Sequence, residues 1–431
     1  MKNISRRGFP VRCGVLAAFI AVAVLSFSCQ DPIVPEIKVN SESYEYQSTG
    51  GNLKVPVSSN VVFEVIIQQE GSWLTLESSS TSDIKLKIAR NEGYVERVAT
   101  VCICHDGEVY DKFTVTQLGL EPQLEYEAPA NATFLLGAYF PYYRGVSEAD
   151  FADELLSHVD VAYYAFAYLK DDCQSTYIEQ VSKLQTLVRR CHAKNIPVLL
   201  SFSGTSSKYK AMVRSGAKRT KFVEQMVQYV KQYDLDGIDN DWEFPSSSDD
   251  SKHNNVLLMR QLSNALHAPG VNKLLTMAVT SGRWAGNYRD GIDDEIFRCC
   301  DWINAMCYND VSGDYINNYD AMSVAYKSYD YWVGTRHMDP KKYSLGLPLY
   351  STSPSNKAYS YRTILANGGS PDKDSFFYNS EYNFYNGRPT IIKKMHMMRD
   401  SLTAGAFFWE ASYDVTGDNS LILTAAAAKN D

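Results

Sequence analysis

Two textures divide the chain. From Ile37 to about Gly119, short runs alternate apolar and polar positions, as in Leu53-Lys54-Val55-Pro56-Val57, Val62-Phe63-Glu64-Val65-Ile66 and Phe113-Thr114-Val115-Thr116. Turn-forming clusters, Gly50-Gly51-Asn52 and Asp106-Gly107 among them, separate the runs. A period of two buries one side of a strand and wets the other, so this short, regular spacing predicts a small all-β, immunoglobulin-like sandwich over residues 36–119. Residues 120–132 are polar and proline-containing and read as a linker. Beyond them, continuous apolar, β-branched runs alternate with helical stretches such as Ser175–Lys194 and Arg219–Tyr233, the signature of a parallel sheet with crossover helices. Eight strands are expected: Phe134–Tyr139, Val159–Tyr168, Pro197–Phe202, Gly237–Asp241, Leu275–Thr280, Trp302–Tyr308, Tyr343–Pro348 and Ala404–Trp409. Eight strand–helix units within residues 133–425 predict an α/β fold of the TIM (β/α)8 type, with its site at the C-terminal ends of the strands.

A chain of 431 residues has ample core for both domains. With a net charge of −8 and no Lys/Arg stripe, nucleic acid is not an expected partner. The first residues resemble an export signal: Lys2, Arg6 and Arg7 precede an apolar stretch, Val15 to Leu25, too short to span a bilayer. Ser26-Phe27-Ser28-Cys29 then resembles the lipobox of bacterial lipoproteins. That resemblance implies cleavage after residue 28, a lipid on Cys29, and a membrane anchor in the envelope of a Gram-negative bacterium. Plain secretion with Cys29 unmodified is the alternative. Seven cysteines follow Cys29 without disulfide-framework or CxxC spacing, and none joins a histidine in a zinc pattern. No metal and no cofactor are expected, and the chain is expected to be monomeric. Thirty Tyr and six Trp suit sugar stacking and ordinary cores alike, and decide nothing alone.

The chemistry concentrates in Asp236-Gly237-Ile238-Asp239-Asn240-Asp241-Trp242-Glu243. Asp239, Asp241 and Glu243 alternate along the end of a strand and so share a face, with Ile238, Asn240 and Trp242 on the other. Carboxylates this close titrate together, and one can keep its proton near neutral pH. Cleavage of a glycosidic bond needs such an acid. Calcium binding and a solvated strand end are the competing readings, but calcium loops are Gly-punctuated turns with ligands at many offsets, and Phe244-Pro245 closes this segment.

The N-terminal region resembles the BACON domain through Gly50-Gly51, the strand-borne Trp73, Arg97 before Ala99-Thr100-Val101, and the closing Thr116-Gln117-Leu118-Gly119. Trp73 is expected in the core, and the domain is expected to act as a spacer. Residues 133–425 resemble glycoside hydrolase family 18. The motif D-G-x-D-x-D-x-E falls on Asp236 to Glu243. Five further segments accompany it: Gly137-Ala138-Tyr139-Phe140, Tyr164-Ala165-Phe166-Ala167, Met306-Cys307-Tyr308-Asn309, Gly346-Leu347-Pro348-Leu349-Tyr350 and Phe408-Trp409-Glu410. This resemblance implies retaining, substrate-assisted hydrolysis, with Glu243 as general acid/base. Asp241 would orient the substrate's acetamide, Tyr308 would hold its oxygen, and Asp239 would support Asp241. It further implies Trp409 as floor, Tyr139 and Phe166 as walls, Asn309 beside Tyr308, and Trp284 as a stacking surface in the leaving-group region.

Three departures stand out: Asn240 at a usually apolar position, Ser203 where the family has glycine, and Asn309 for the usual aspartate. Asp241-Trp242-Glu243-Phe244-Pro245 is similar to the chitinase form of the motif, which implies an N-acetylglucosamine-containing oligo- or polysaccharide as partner. An endo-β-N-acetylglucosaminidase acting on N-glycans and a non-catalytic lectin are the alternatives. The span between strands seven and eight is short for a full insertion domain, which predicts an open groove.

Overall fold

The computed structural model describes residues 33–131, 133–308 and 316–431, so Cys29 and Asn309 lie outside the described residues. The chain divides at Leu120 into two compact units. In the first, two four-stranded sheets face each other. One orders Ile37–Val39, Gly51–Ser59, Asp83–Ile88 and Leu74–Ser79; the other orders Ser43–Tyr46, Glu108–Gln117, Arg97–His105 and Glu64–Gln68. Their inward positions, including Val55, Ile84, Leu86, Val101, Phe113 and Val115, form one core. Trp73 belongs to it at 4% exposure, with the Arg97 guanidinium 4.8 Å from its ring centre.

The second unit is the barrel. Its strands are β1 (Leu135–Pro141), β2 (Val161–Leu169), β3 (Val198–Phe202), β4 (Gly237–Asn240), β5 (Leu274–Thr280), β6 (Trp302–Met306), β7 (Tyr343–Pro348) and β8 (Gly405–Trp409). All neighbours pair in parallel and in chain order, and β8 pairs with β1 to close the cylinder. The same device holds three of the strand starts. Asp160, Asp236 and Asp301, each just before an even-numbered strand, accept the backbone N–H of Leu136 (2.6 Å), Val198 (2.9 Å) and Leu275 (2.8 Å) on the preceding strand. The first aspartate of the acidic motif therefore does structural work at the opposite end of β4 from the site.

Between the strands, helices bury apolar stripes. In Val181–His192, Leu184, Leu187, Val188 and Cys191 recur at helical spacing and are all buried. This helix is shorter than the expected Ser175–Lys194. Thr176–Ile178 is instead a strand, antiparallel to β2, and Gln180 at φ 51° breaks the right-handed path before Val181. Residues 121–128, within the expected linker, are fastened to the barrel. The N–H groups of Glu125 and Tyr126 donate to Asn264 Oδ1, and the buried Lys342 Nζ donates to the carbonyls of Ala128 (2.8 Å), Phe297 (2.8 Å) and Cys300 (2.9 Å).

After β7 the chain builds a small antiparallel sheet before returning to β8. Its order is Ala358–Ser360, Tyr350–Thr352, Glu381–Phe384 and Ser375–Tyr378. The seven cysteines of the described residues are unbonded, and all but Cys173 are buried. Among the described residues, no helix is long and apolar enough to cross a membrane.

Candidate active site

Strand β4 carries the acids to the mouth of the barrel. Gly237 opens it without a side chain because a Cβ there would strike the backbone of Leu274 on β5. Ile238 and Trp242 turn outward into the helix-covered core. Trp242 stacks on Tyr209 at 5.7 Å and donates from Nε1 to Ser206 Oγ. Asn240, also outward, is matched by polar partners: its Oδ1 accepts from the Trp242 N–H, and its Nδ2 donates to Met259 Sδ at 3.2 Å.

The inward acids occupy successive depths. Asp239 is fully buried, accepting from Thr276 Oγ1 (2.5 Å), Ser201 Oγ (2.7 Å) and the Tyr139 hydroxyl (2.9 Å). Burial pushes its carboxyl above the ordinary aspartate value, and these hydrogen bonds oppose the rise. Asp241 is also buried, but its Oδ1 has no hydrogen-bond partner. Its carboxyl is raised well above the usual range, first by burial and then by the negative charges of Glu243 and Asp239. Glu243 lies at the rim, where solvent still reaches it. The protein crowded around it nevertheless raises its carboxyl too.

One recess of about 190 Å³ gathers the reactive groups. Asp241, Glu243 and Tyr308 line it together with Tyr139, Phe166 and Trp409, so six of the residues expected at the site converge there. Trp409 packs against Phe166 (6.0 Å between ring centres, 22° between planes) and Tyr139 (5.5 Å). The peptide bonds Ala165-Phe166, Glu243-Phe244 and Trp409-Glu410, beside three of these lining residues, are cis. Asp239 sits behind the recess, joined to it through the Tyr139 hydroxyl, which also accepts from Asn304 Nδ2 at 3.1 Å. Tyr308 is buried, with its hydroxyl held well above the ordinary tyrosine range, chiefly by burial. Trp284 is 45% exposed on the loop after β5, with the Arg283 guanidinium 4.7 Å from its ring centre. It does not line the recess.

Sequence reasoning gave no role to Tyr350, Met306 and Ala278, which complete the lining beside Ser203. It also missed Thr276 and Ser201, the hydroxyls that hold Asp239. Tyr350 and Met306 lay within recognised motif segments, and that was the available signal. Ser201 and Thr276 are ordinary inward positions of β3 and β5, and only the barrel register (Ser201↔Asp239↔Thr276) shows what they face. Among the described residues, no three His, Cys, Asp or Glu side chains gather as a metal-ligand group.

Fold and site together define a TIM-barrel protein with two carboxyl groups, Asp241 and Glu243, in the recess at the end of β4. Residues 136–414 match the family model described as "Glycosyl hydrolases family 18", and residues 36–120 match "Viral BACON domain". The chain belongs to glycosyl hydrolases family 18. Among curated relatives, Chitinase 1 of Aphanocladium album is 26% identical over 281 residues, covering 54% of this chain and 65% of its own length. A chitinase from Bacteroides thetaiotaomicron has a solved structure that aligns with a TM-score of 0.59 at 23% identity, covering 69% of this chain and 97% of its own. A chitinase-like agglutinin from Robinia pseudoacacia aligns at 0.56 with 21% identity, covering 68% and 99%. At these identities the two solved structures speak for the fold alone.

Proposed function

We propose that this protein hydrolyses β-1,4-linked N-acetylglucosamine chains with retention of configuration, using the substrate's own acetamide as nucleophile. The observation that carries the reading is Asp241 Oδ1, a buried acceptor with no partner beside Glu243 and Tyr308. Burying a polar atom unpaired costs free energy, and the N–H of an acetamide in the recess would recover it. Glu243, whose carboxyl burial raises above the ordinary glutamate value, gives its proton to the glycosidic oxygen as that bond breaks. The acetamide oxygen, held by the Tyr308 hydroxyl, attacks the anomeric carbon from below and closes an oxazolinium ring. Asp241 passes its proton to Asp239 as the substrate binds, then accepts the acetamide N–H as a carboxylate and balances the ring's positive charge. Glu243, now a carboxylate, then takes a proton from water as that water opens the ring. Asp239 supports Asp241 from behind, and Trp409 forms the apolar floor. Holding the attacking oxygen about 3 Å from carbon supplies much of the rate.

In Glu243→Gln, turnover should fall by about 10²–10⁴-fold while binding of N-acetylglucosamine oligomers persists. A lectin would show no turnover in the parent either. Product analysis by mass spectrometry separates substrates: release of an intact N-glycan without cleavage of chitooligosaccharides would overturn the chitinase reading. Initial products in the α-anomer would overturn the retaining one.

The cell-envelope address is also proposed, on the Ser26-to-Cys29 sequence behind its apolar stretch. A lipid on Cys29 anchors the protein, the N-terminal domain serves as spacer, and the enzyme works as a monomer. Labelled palmitate should enter the parent and not Cys29→Ser, and light scattering should report a single chain.

A further inference from the structure

The recess contains a hydroxyl that the proposed reaction leaves unused. Ser203 lines it beside Asp241 and Glu243, at the position where the family has glycine. Strand β3 carries it there. Ser201 stands opposite Asp239, and Phe202 opposite Asn240. Pairing continues past the last residue of the strand: the Asp241 N–H donates to the Phe202 carbonyl, and the Ser203 N–H to that of Ala167 on β2, each at 3.0 Å. Ser203 is therefore level with Asp241, one layer nearer the mouth than Ser201. Side chains alternate along such a path. Ser201 faces inward, bonded to Asp239, and Phe202 faces outward, stacked on Tyr209 at 5.8 Å. Ser203 faces inward again, into the recess.

The backbone at this position is pinned. The Tyr209 hydroxyl donates to the Ser203 carbonyl at 3.0 Å. Gly204, at φ 136°, then turns the chain past the Tyr168 ring, which lies 3.2 Å from where a Cβ would stand. Ser203 Oγ, by contrast, has no hydrogen-bond partner among the described residues. It is not paired with Asp241 either, whose Oδ1 is itself unpartnered. The fold fixes where this hydroxyl stands and makes no bond with it. Its neighbours limit what it can serve. Asp241 and Glu243 follow β4, with Tyr308 after β6 on one side of them and Ser203 after β3 on the other. An acetamide held between Asp241 and Tyr308 takes the β6 side. The β3 side is left for the atoms that Glu243 serves, the glycosidic oxygen first and the attacking water afterwards.

Given the retaining hydrolysis proposed above, on which this rests, we infer that Ser203 Oγ accepts a hydrogen bond from the attacking water and so favours water over a sugar hydroxyl in the second step. Water has two O–H bonds. One proton passes to the Glu243 carboxylate as the water oxygen bonds the anomeric carbon. The bond from that carbon to the acetamide oxygen breaks, and its electron pair restores the neutral acetamide. The second O–H points at Ser203, whose oxygen has lone pairs to accept it. An alcohol has a single O–H, which goes to Glu243, and carries carbon where the second hydrogen would be. The Ser203 hydroxyl thus separates hydrolysis from transfer of the glycan to another chain.

The test lets water and methanol compete for the intermediate formed from a methylumbelliferyl chitobioside, and reads the ratio of methyl chitobioside to chitobiose by mass spectrometry. That ratio is set within each turnover, so it does not depend on how much of a variant folds. In the full-length chain, Ser203→Ala and Ser203→Gly should raise it about five- to tenfold over the parent, the size expected for one hydrogen bond. Ser203→Thr, which keeps the hydroxyl, should return it towards the parent. Equal ratios in the parent and the two hydroxyl-free variants would overturn the inference, as would a threonine variant shifted as far as alanine. An inactive glycine variant would overturn it too, by giving Ser203 a part in the first step. A parent that leaves both the reporter and chitotetraose uncut, or releases the α-anomer, would instead reject the underlying reading.

Discussion

At the scale of single residues, Asp241 is held where its charge is least welcome. It is buried, one oxygen is unpartnered, and two further acids stand nearby. In the unfolded chain it would titrate near the ordinary value of about 3.9. In the folded protein it keeps its proton to higher pH, so across that window the native state binds more protons and stability falls as pH rises. Asp241→Asn removes the charge without changing shape. The variant should melt above the parent at neutral pH, and the gap should close towards about pH 3. Calorimetry across pH checks this, and a gap independent of pH would reject it. Catalysis should move the other way, with kcat falling by about a hundredfold or more as the positive ring loses its counter-charge. Glu243 adds a second pH signature. As its pKa is raised, the alkaline limb of kcat/KM should lie above the ordinary glutamate value of about 4.3. In Asp241→Asn that limb should stay above about 4.3, because burial rather than a neighbouring charge is what raises Glu243.

At the scale of elements, legibility followed burial. The eight barrel strands were readable to within a few residues because a strand covered on both faces must be apolar along its length. Val161–Leu169, for example, is apolar throughout and buried at every position but Tyr168. The inserted sheet was not readable. Its strands run three or four residues with one face exposed, so Phe377 and Tyr382 look no different from core aromatics in the chain. The hydroxyls around Asp239 were hidden for another reason, since Ser201 and Thr276 come from other strands and only the register brings them together. Register also explains Gly346 on β7, where a Cβ would lie 2.6 Å from the Tyr308 ring and 2.7 Å from the Ala305 carbonyl. Its missing side chain is the space that Tyr308 occupies. Gly346→Ala should destabilise the barrel by about 1–3 kcal/mol, as overpacking does. It should also lower kcat on every substrate alike, since the displaced ring belongs to the reacting centre. Denaturant titration and initial rates check both. Full activity at reduced stability would separate Tyr308 from the reaction.

At the scale of the whole molecule, the boundary between the units is defined by hydrogen bonds more sharply than by composition. The sandwich and the barrel each own a core, and no buried side chain belongs to both. Polarity and proline content made residues 120–132 look like a free connector, yet 121–128 is tied to the barrel. Arg260 donates to the Pro122 carbonyl, Arg298 pairs with Glu127, and the Lys342 ammonium is buried among three carbonyls, one of them that of Ala128. Composition cannot reveal this, because most of these bonds reach the segment's backbone, which carries no side-chain signature. The energetic consequence is specific. Removing one carbonyl from a buried ammonium leaves a charge under-coordinated, a cost of about 1–3 kcal/mol or more. A chain beginning at Glu121 should therefore fold and turn over a short reporter as the full chain does. One beginning at residue 130 should unfold at lower denaturant concentration, and Lys342→Met should lessen that difference by removing the charge that needs Ala128. Equal stability of the two truncations would show that the segment contributes nothing to the barrel, and a sharp loss in the longer one would show that the barrel depends on the sandwich.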